Sequence, residues 1–299
     1  MEKKTSVKGI VFLVITAVVW GFAFVAQVVG VEHMGSMTYN AIRFMLGGLS
    51  LIPVIAIFER KDYKDKAKIK HSLKASLPAG AILFIAASLQ QYGVEITQSS
   101  GKSGFITGLY TVLVPIFAFL IWRKKTALNI WVGAVMCVVG LFLLCMSGEQ
   151  LQFGLGEALL FIGAIFWAFH ILCVDRYAST ISSLTFCLGQ FLTCSILSGI
   201  VAVFTETITI GGITGGIIPI LYGGFMSVGV AYTCQIIAQK DADPTFATIV
   251  FSTESVFSAI GGVLLLHEVL ELKNYLGCII MFAGIVCSQL EFKKKKANA

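Results

Sequence analysis

Two charged residues stand deep inside apolar stretches of this 299-residue chain, Glu254 and Arg43. Glu254 falls near the middle of Pro244–Leu266, a 23-residue run with no other ionisable side chain. An acid at that depth in a membrane costs on the order of 2.5–3.5 kcal/mol on insertion scales, so it must face a cavity or a partner rather than lipid. An acid and a base in one cavity suit a zwitterion such as an amino acid, by charge complementarity. A carboxyl whose proton affinity differs between two states of a protein can also couple proton movement to substrate movement, which makes Glu254 the proton-coupling candidate. The alternative is a glutamic acid satisfied by a neighbouring helix. Arg43 either touches the substrate, snorkels to the membrane surface or closes a gate.

Aromatic and amide residues surround these two along the chain. Trp20, Tyr110, Trp167 and Tyr232 can form a wall that stacks on rings or cations, or can serve ordinary helix packing and interfacial belts. Gln90, Gln91 and Gln235 are amides inside apolar spans, which either bond across helices or bind polar substrate groups. His170 can relay protons, but its place toward the end of its span favours a hydrated histidine.

The elements that carry these residues are membrane helices. The chain is 57% hydrophobic and 13% charged, its mean hydropathy is +0.88, and soluble domains carry about 25% charge. The apolar runs predict ten spans: about Val7–Val31, Met37–Phe58, Leu73–Val94, Lys102–Trp122, Ile130–Met146, Leu155–Val174, Ile181–Phe204, Gly215–Ile237, Pro244–Leu266 and Asn274–Leu290. At about 1.5 Å per residue each run is of the order needed to cross a hydrocarbon core about 30 Å thick. No polar stretch is long enough to fold alone. The first run is too long for a signal-peptide core and no clear small-residue cleavage site follows it. Eight cysteines lie in or beside apolar segments without a C-x-x-C pair, and read as small apolar helix residues rather than disulfides or metal ligands.

Loop charge predicts an orientation. With the N-terminus in the cytoplasm and the spans alternating, the cytoplasmic side receives 19 of the 22 basic residues: Lys3, Lys4, Lys8, the run from Arg60 to Lys74, Arg123–Lys125, Arg176, Lys240 and Lys293–Lys296. The outer side receives Lys102 and Lys273, along with Glu32, Glu95, Glu149, Glu206, Glu268 and Glu271. This positive-inside pattern puts both termini in the cytoplasm and accounts for the net charge of +6. Basic residues spread over membrane-flanking loops argue against nucleic acid as a partner.

The two halves echo each other. Trp20 and Trp167 are 147 residues apart, as are Arg43-Phe44 and Gln190-Phe191; Gln91 and Gln235 are 144 apart, as are Gly133 and Gly277, and Gly140 and Gly284. Residues 1–150 and 151–299 therefore read as two five-helix repeats, the second ending in a basic tail. Five spans is an odd number, so the second copy enters the membrane upside down, an architecture that places a substrate site at the repeat interface near the midplane.

Trp20-Gly21, Arg43-Phe44, GKSGFITGLYTVLVPIFAFL at 101–120 and FSTESVFSAIGGVLLLHE at 251–268 occur in an order that resembles the EamA-type branch of the drug/metabolite transporter superfamily, from about residue 8 to 290. The proline that commonly follows the family's glutamate is Ser255 here, which brings a kink in the ninth span into question; its first-repeat counterpart is read as Pro115. The resemblance implies a ten-helix metabolite exporter with a central cavity lined by both halves.

Enzyme signatures are missing. GKS at 101–103 is no P-loop, because Ile96 stands where the first glycine is required, and His267-Glu268 is followed by Glu271 in place of the second histidine of H-E-x-x-H. No Ser/His pair suggests a hydrolase. The expectation is an all-α exporter of an amino acid or a similar zwitterionic or amphipathic metabolite, in the cytoplasmic membrane of a bacterium, without cofactor or metal. Its expected partners are a small-molecule substrate, the lipid bilayer, protons as a candidate coupling ion and a second copy of the chain. The competing classes are a membrane enzyme acting on lipid-linked groups and a non-transporting receptor or scaffold.

Overall fold

The computed structural model describes residues 6–60, 62, 65–123, 127–145, 154–269 and 271–289. Part of the charge count (Lys3, Lys4, Lys61, Lys64, Lys124, Lys125, Glu149 and Lys293–Lys296) lies outside the described residues, as do the ends Met146 and Leu290 of two expected spans. Among the described residues every regular element is helical: α1 (Val7–Val31), α2 (Ser36–Phe58), α3 (Lys66–Thr97), α4 (Ser100–Thr107), α5 (Tyr110–Trp122), α6 (Leu128–Cys145), α7 (Leu155–Ala178), α8 (Ser183–Thr205), α9 (Ile210–Gly215), α10 (Ile217–Leu221), a π-helical stretch Tyr222–Tyr232, α11 (Thr233–Ala238), α12 (Pro244–Phe251), α13 (Glu254–Leu266) and α14 (Leu272–Gln289).

Eight of the resulting helices are long and apolar enough to cross a membrane, counting Ser100–Trp122, Ile217–Ala238 and Pro244–Leu266 as one each. Trp131–Gly140 and Leu272–Gly284 are shorter apolar stretches; they lie in α6 and α14, which pack on each other where a Cβ on Gly284 would come within 2.8 Å of the Gly133 carbonyl. The outside of the bundle is apolar, with Phe58 77% and Phe204 84% exposed, as a surface facing hydrocarbon requires.

Several boundaries differ from the hydropathy reading. α3 begins at Lys66, not near Leu73, because Asp65 caps it through a bond from Lys68 N at 3.0 Å and the Lys- and Ala-rich stretch that follows favours helix. The fourth and ninth spans are each interrupted. At Leu109 and again at Thr253 the backbone N–H bonds three residues back, to Ile106 O at 3.2 Å and Val250 O at 3.1 Å. One turn is thereby tightened in mid-membrane.

Two distant carboxylates cap helices that cannot cap themselves. α2 starts after Gly35, which has no side chain, and Glu206 accepts from Met37 N at 2.7 Å, Thr38 N at 2.8 Å and Thr38 Oγ1 at 2.7 Å. A Cβ on Gly35 would sit 2.2 Å from the Glu206 carboxyl carbon, so glycine is what admits it. At the other end of the bundle Glu59 accepts from Leu184 N at 2.8 Å, Thr185 N at 3.0 Å and Thr185 Oγ1 at 2.7 Å, where the Ser182 N-cap makes no capping bond. Glu59 and Glu206 are 147 residues apart, and so are Thr38 and Thr185. These clasps tie α2 to α8 at both ends, with anions at positive helix termini. Glu59→Gln and Glu206→Gln each leave one amide N–H facing another donor and cost about 1–3 kcal/mol. The expected reading is a lower unfolding midpoint in detergent for both variants, and an unchanged midpoint would remove the clasp from the account.

The same end of the bundle as Glu59 carries a further polar tie. Asp62 accepts from Ser182 Oγ at 2.7 Å and Lys68 Nζ at 3.0 Å. The Ser182 bond first, and then Lys68, holds its carboxyl below the usual carboxylate range.

Candidate functional site

The interrupted spans cross each other at the centre of the bundle. Tyr110 is the first residue of α5 and Glu254 the first of α13, each just past a tightened turn. The Tyr110 hydroxyl donates to Glu254 Oε1 at 2.8 Å, joining residues 144 apart in sequence. Two reciprocal bonds hold the crossing: Thr111 Oγ1 donates to Thr248 O at 3.1 Å, and Ser255 Oγ to Gly104 O at 2.9 Å. Thr111 and Ser255 are again 144 apart, as are Gly104 and Thr248.

These separations correct one expectation. They pair Ser255 with Thr111 and Pro115 with Ala259, so Pro115 is not the counterpart of Ser255. Nor does the ninth span need a proline to be interrupted. Ser252 Oγ and Thr253 Oγ1 bond back to Ile249 O at 2.7 Å and Val250 O at 2.6 Å, and hydroxyls of this kind compete with the helix ladder and bend it. Ser255 keeps its own N–H bond, to Ser252 O at 3.2 Å, which proline would abolish.

α1 lies against this crossing because Gly21 allows it. A Cβ there would fall 2.3 Å from Phe257 Cβ and 2.7 Å from the Glu254 carbonyl. Gly104 does the same for α4 and α13, its Cβ position lying 2.2 Å from Ser258 Oγ. The Gly104/Gly108 spacing therefore reads as close packing.

Trp20, Arg43, Gln90, Tyr110, Trp167, Tyr232 and Glu254 all line one central cavity. It is narrow, about 30 Å³, on a scale where one water needs roughly 10–15 Å³. That is room for about two or three waters and too little for a metabolite. Its aromatic side is a tight cluster. The ring centroid of Trp20 is 4.8 Å from Tyr232, 5.5 Å from Phe251 and 6.4 Å from Trp167. Tyr232 also meets Phe191 at 5.5 Å. Both indole N–H groups, Trp20 Nε1 and Trp167 Nε1, are buried with no hydrogen-bond partner among the described residues.

Arg43 is 3% exposed and does not snorkel to a surface. Its Nε donates to Asn40 Oδ1 at 2.9 Å, and the guanidinium stands 5.0 Å from the Phe44 ring centroid and 5.3 Å from that of Tyr39. Asn40 is its one hydrogen-bond partner among the described residues, which leaves most of the five guanidinium donors free for a ligand. Gln90 donates to Thr107 Oγ1 at 3.3 Å.

Two expected residues are elsewhere. Gln91 donates to Gln27 O at 3.3 Å and Gln235 is fully buried, and neither lines the cavity. Gln91 on α3 is turned to α1, so the bonding alternative holds for it, whereas both amide atoms of Gln235 on α11 are buried with no hydrogen-bond partner among the described residues. His170 is not hydrated: it is 0% exposed, with Nε2 at 3.0 Å from Gln190 Oε1 and its ring against Trp167 and Tyr232. Lining residues that the sequence did not single out include Phe24, Thr107 and Ser227, whose types are common on any membrane helix. Gln27 is the exception, since a buried amide in the first span was a legible signal. Glu157 is spent at the bundle end, paired with Lys102 at 3.0 Å.

The EamA-like transporter family matches residues 7–146 and again 154–289. An uncharacterized transporter of Archaeoglobus fulgidus is 26% identical over 279 residues, covering 93% of this chain and 84% of that protein. The uncharacterized transporter YoaV of Bacillus subtilis is 19% identical, covering 97% and 99%. The uncharacterized inner membrane transporter YedA of Escherichia coli K12 is 21% identical, covering 90% and 87%. A solved crystal structure shares the fold with a TM-score of 0.74 at 15% identity, covering 95% of this chain and 97% of that one. With two matches that together span nearly the whole described bundle, this multi-pass membrane protein belongs to the EamA-like transporter family.

Proposed function

We propose that the protein is a secondary transporter, and no enzyme, that exports a small zwitterionic or amphipathic metabolite across the cytoplasmic membrane of a bacterium by alternating access. The observation that carries this reading is the buried Tyr110–Glu254 pair at the crossing of two interrupted helices, opening on a cavity that also holds Arg43. An acid for an ammonium, a guanidinium for a carboxylate and an aromatic wall between them match a zwitterion with an apolar side chain.

The architecture assigned to it is ten spans in two inverted repeats, 1–150 and 151–299. The support is the paired positions: reciprocal bonds about the Tyr110–Glu254 crossing, matching clasps by Glu59 and Glu206, and left-handed C-caps at Arg123 and His267, themselves 144 apart. The tightened turns are the places where α4 can swing against α5 and α12 against α13, so that the site opens to one side at a time. Glu254, released from Tyr110 and hydrated, exchanges a proton with that side.

Uptake into proteoliposomes tests the function. Counterflow of a labelled amino acid in an aromatic or aliphatic series, absent from protein-free vesicles, is expected; failure across amino acids, nucleobases and organic cations would leave the receptor class. Replacing Trp20 or Trp167 with Ala is expected to lower transport of an aromatic substrate by more than it lowers the yield of folded protein. Equal losses in both would assign these rings to packing. Orientation is checked by single cysteines in a cysteine-free background. Arg60→Cys and Arg123→Cys should react with an impermeant thiol reagent only once the inner face is opened, whereas Glu32→Cys and Gln98→Cys should react from outside. The opposite pattern would invert the topology.

A further inference from the structure

A second cleft lies away from the central cavity, between α3 and α8, with a volume of about 670 Å³. One wall carries Lys66, Lys70 and Lys74. They recur every four residues on one face of α3, a row about 12 Å long. None of the three makes an ion pair or a hydrogen bond among the described residues, in contrast to Lys68 on the same helix, which pairs with Asp62 at 3.0 Å. Past the lysines the walls turn apolar and open: Leu73 is 44% exposed, Leu77 59% and Ile196 55%. Behind them the two helices touch. A Cβ on Gly189 would fall 2.1 Å from Ser76 Oγ, and one on Gly80 would fall 2.5 Å from Thr193 Cβ. The groove is thus closed toward the bundle and open toward the bilayer.

We propose that this groove is a binding site for an anionic phospholipid, with the headgroup phosphate on Lys66, Lys70 and Lys74 and the acyl chains along Leu73, Leu77 and Ile196. Charge complementarity selects the headgroup, since three unpaired cations at the polar edge of a membrane helix attract anionic lipid. The apolar walls select a lipid over a soluble anion, because a free phosphate would leave them facing nothing but solvent or bulk lipid. The site occupies the end of the bundle that the proposed orientation puts in the inner leaflet, and binding itself does not depend on the transport reading. A lipid seated there bridges α3 and α8, the two helices already joined at this end by Ser182 N donating to Ser72 Oγ at 2.9 Å.

The test is lipid retention by the purified full-length chain, read by native mass spectrometry and by unfolding midpoint in detergent. Phosphatidylglycerol, phosphatidylcholine and soluble glycerol 3-phosphate are compared. The wild type is expected to prefer phosphatidylglycerol over phosphatidylcholine at least about tenfold, and glycerol 3-phosphate is expected neither to displace it nor to raise the midpoint. The triple variant Lys66→Gln, Lys70→Gln, Lys74→Gln loses that preference. A control removing equal charge elsewhere at the same end, Lys8→Gln, Arg123→Gln, Lys240→Gln, keeps it. Should the triple variant fail to fold, Lys70→Gln at the middle of the row is read instead, with a loss of at least about threefold expected. Unchanged preference in the groove variants, an equal loss in the control, or equal protection by glycerol 3-phosphate would each overturn the site.

Discussion

Glu254→Gln is expected to fold and insert normally and to lose transport at least about tenfold, equivalent to about 1.4 kcal/mol. The amide keeps the size of the side chain, and its carbonyl oxygen can accept the Tyr110 hydroxyl in place of Oε1, now 2.8 Å away. What it removes is the ability to bind and release a proton and to carry a full negative charge toward an ammonium. The two roles separate in reconstituted vesicles. If substrate exchange survives while net proton-driven flux is lost, Glu254 acts in coupling; if binding is lost too, it touches the substrate. Wild-type flux with an unchanged pH profile would show that a hydrogen-bonding side chain of that size is all the site requires, and the proposed function would lose its centre.

Gly21→Ala is expected to damage both stability and transport, through one methyl group. The added carbon would meet Phe257 Cβ at 2.3 Å, the Glu254 carbonyl at 2.7 Å and the Phe257 carbonyl carbon at 3.0 Å. None of these atoms can rotate aside, so α1 must move off α13. Overpacking of this kind costs about 1–3 kcal/mol, which for a protein of this size lowers the midpoint by several degrees. The displacement also moves Trp20, the preceding residue, away from Tyr232 and Phe251, so flux per folded molecule falls as well. Gly48→Ala is the matched control, because its nearest neighbour, Leu192 Cδ2, would be 3.5 Å away. Equal midpoints for the two variants would mean that α1 and α13 are not held as closely as the glycine implies.

The sequence by itself determined that the chain crosses a membrane many times and that one acid and one arginine are out of place there. Transfer from water to hydrocarbon is a property of each segment separately, so hydropathy marks it without knowledge of any neighbour. The cost of burying Glu254 and Arg43 is likewise local, and both proved to line the cavity. The recurrence at separations of 144 and 147 was legible in the sequence as well, and one pair it marked, Trp20 and Trp167, has ring centroids 6.4 Å apart. Tertiary structure alone decided which faces meet. In an apolar helix the inward and lipid-facing sides have similar composition, so no amphipathic stripe separated Gln90, in the cavity, from Gln91, turned to α1. Nor could a single strand of sequence show that Tyr110 finds Glu254, that Glu206 reaches back to α2, or that Ser252 and Thr253 interrupt a run that reads as one helix. Those outcomes depend on close approach at Gly21, Gly35 and Gly104. Packing of small residues against atoms far away in the chain, rather than any hydrophobic driving force within the membrane, selects the partner helix.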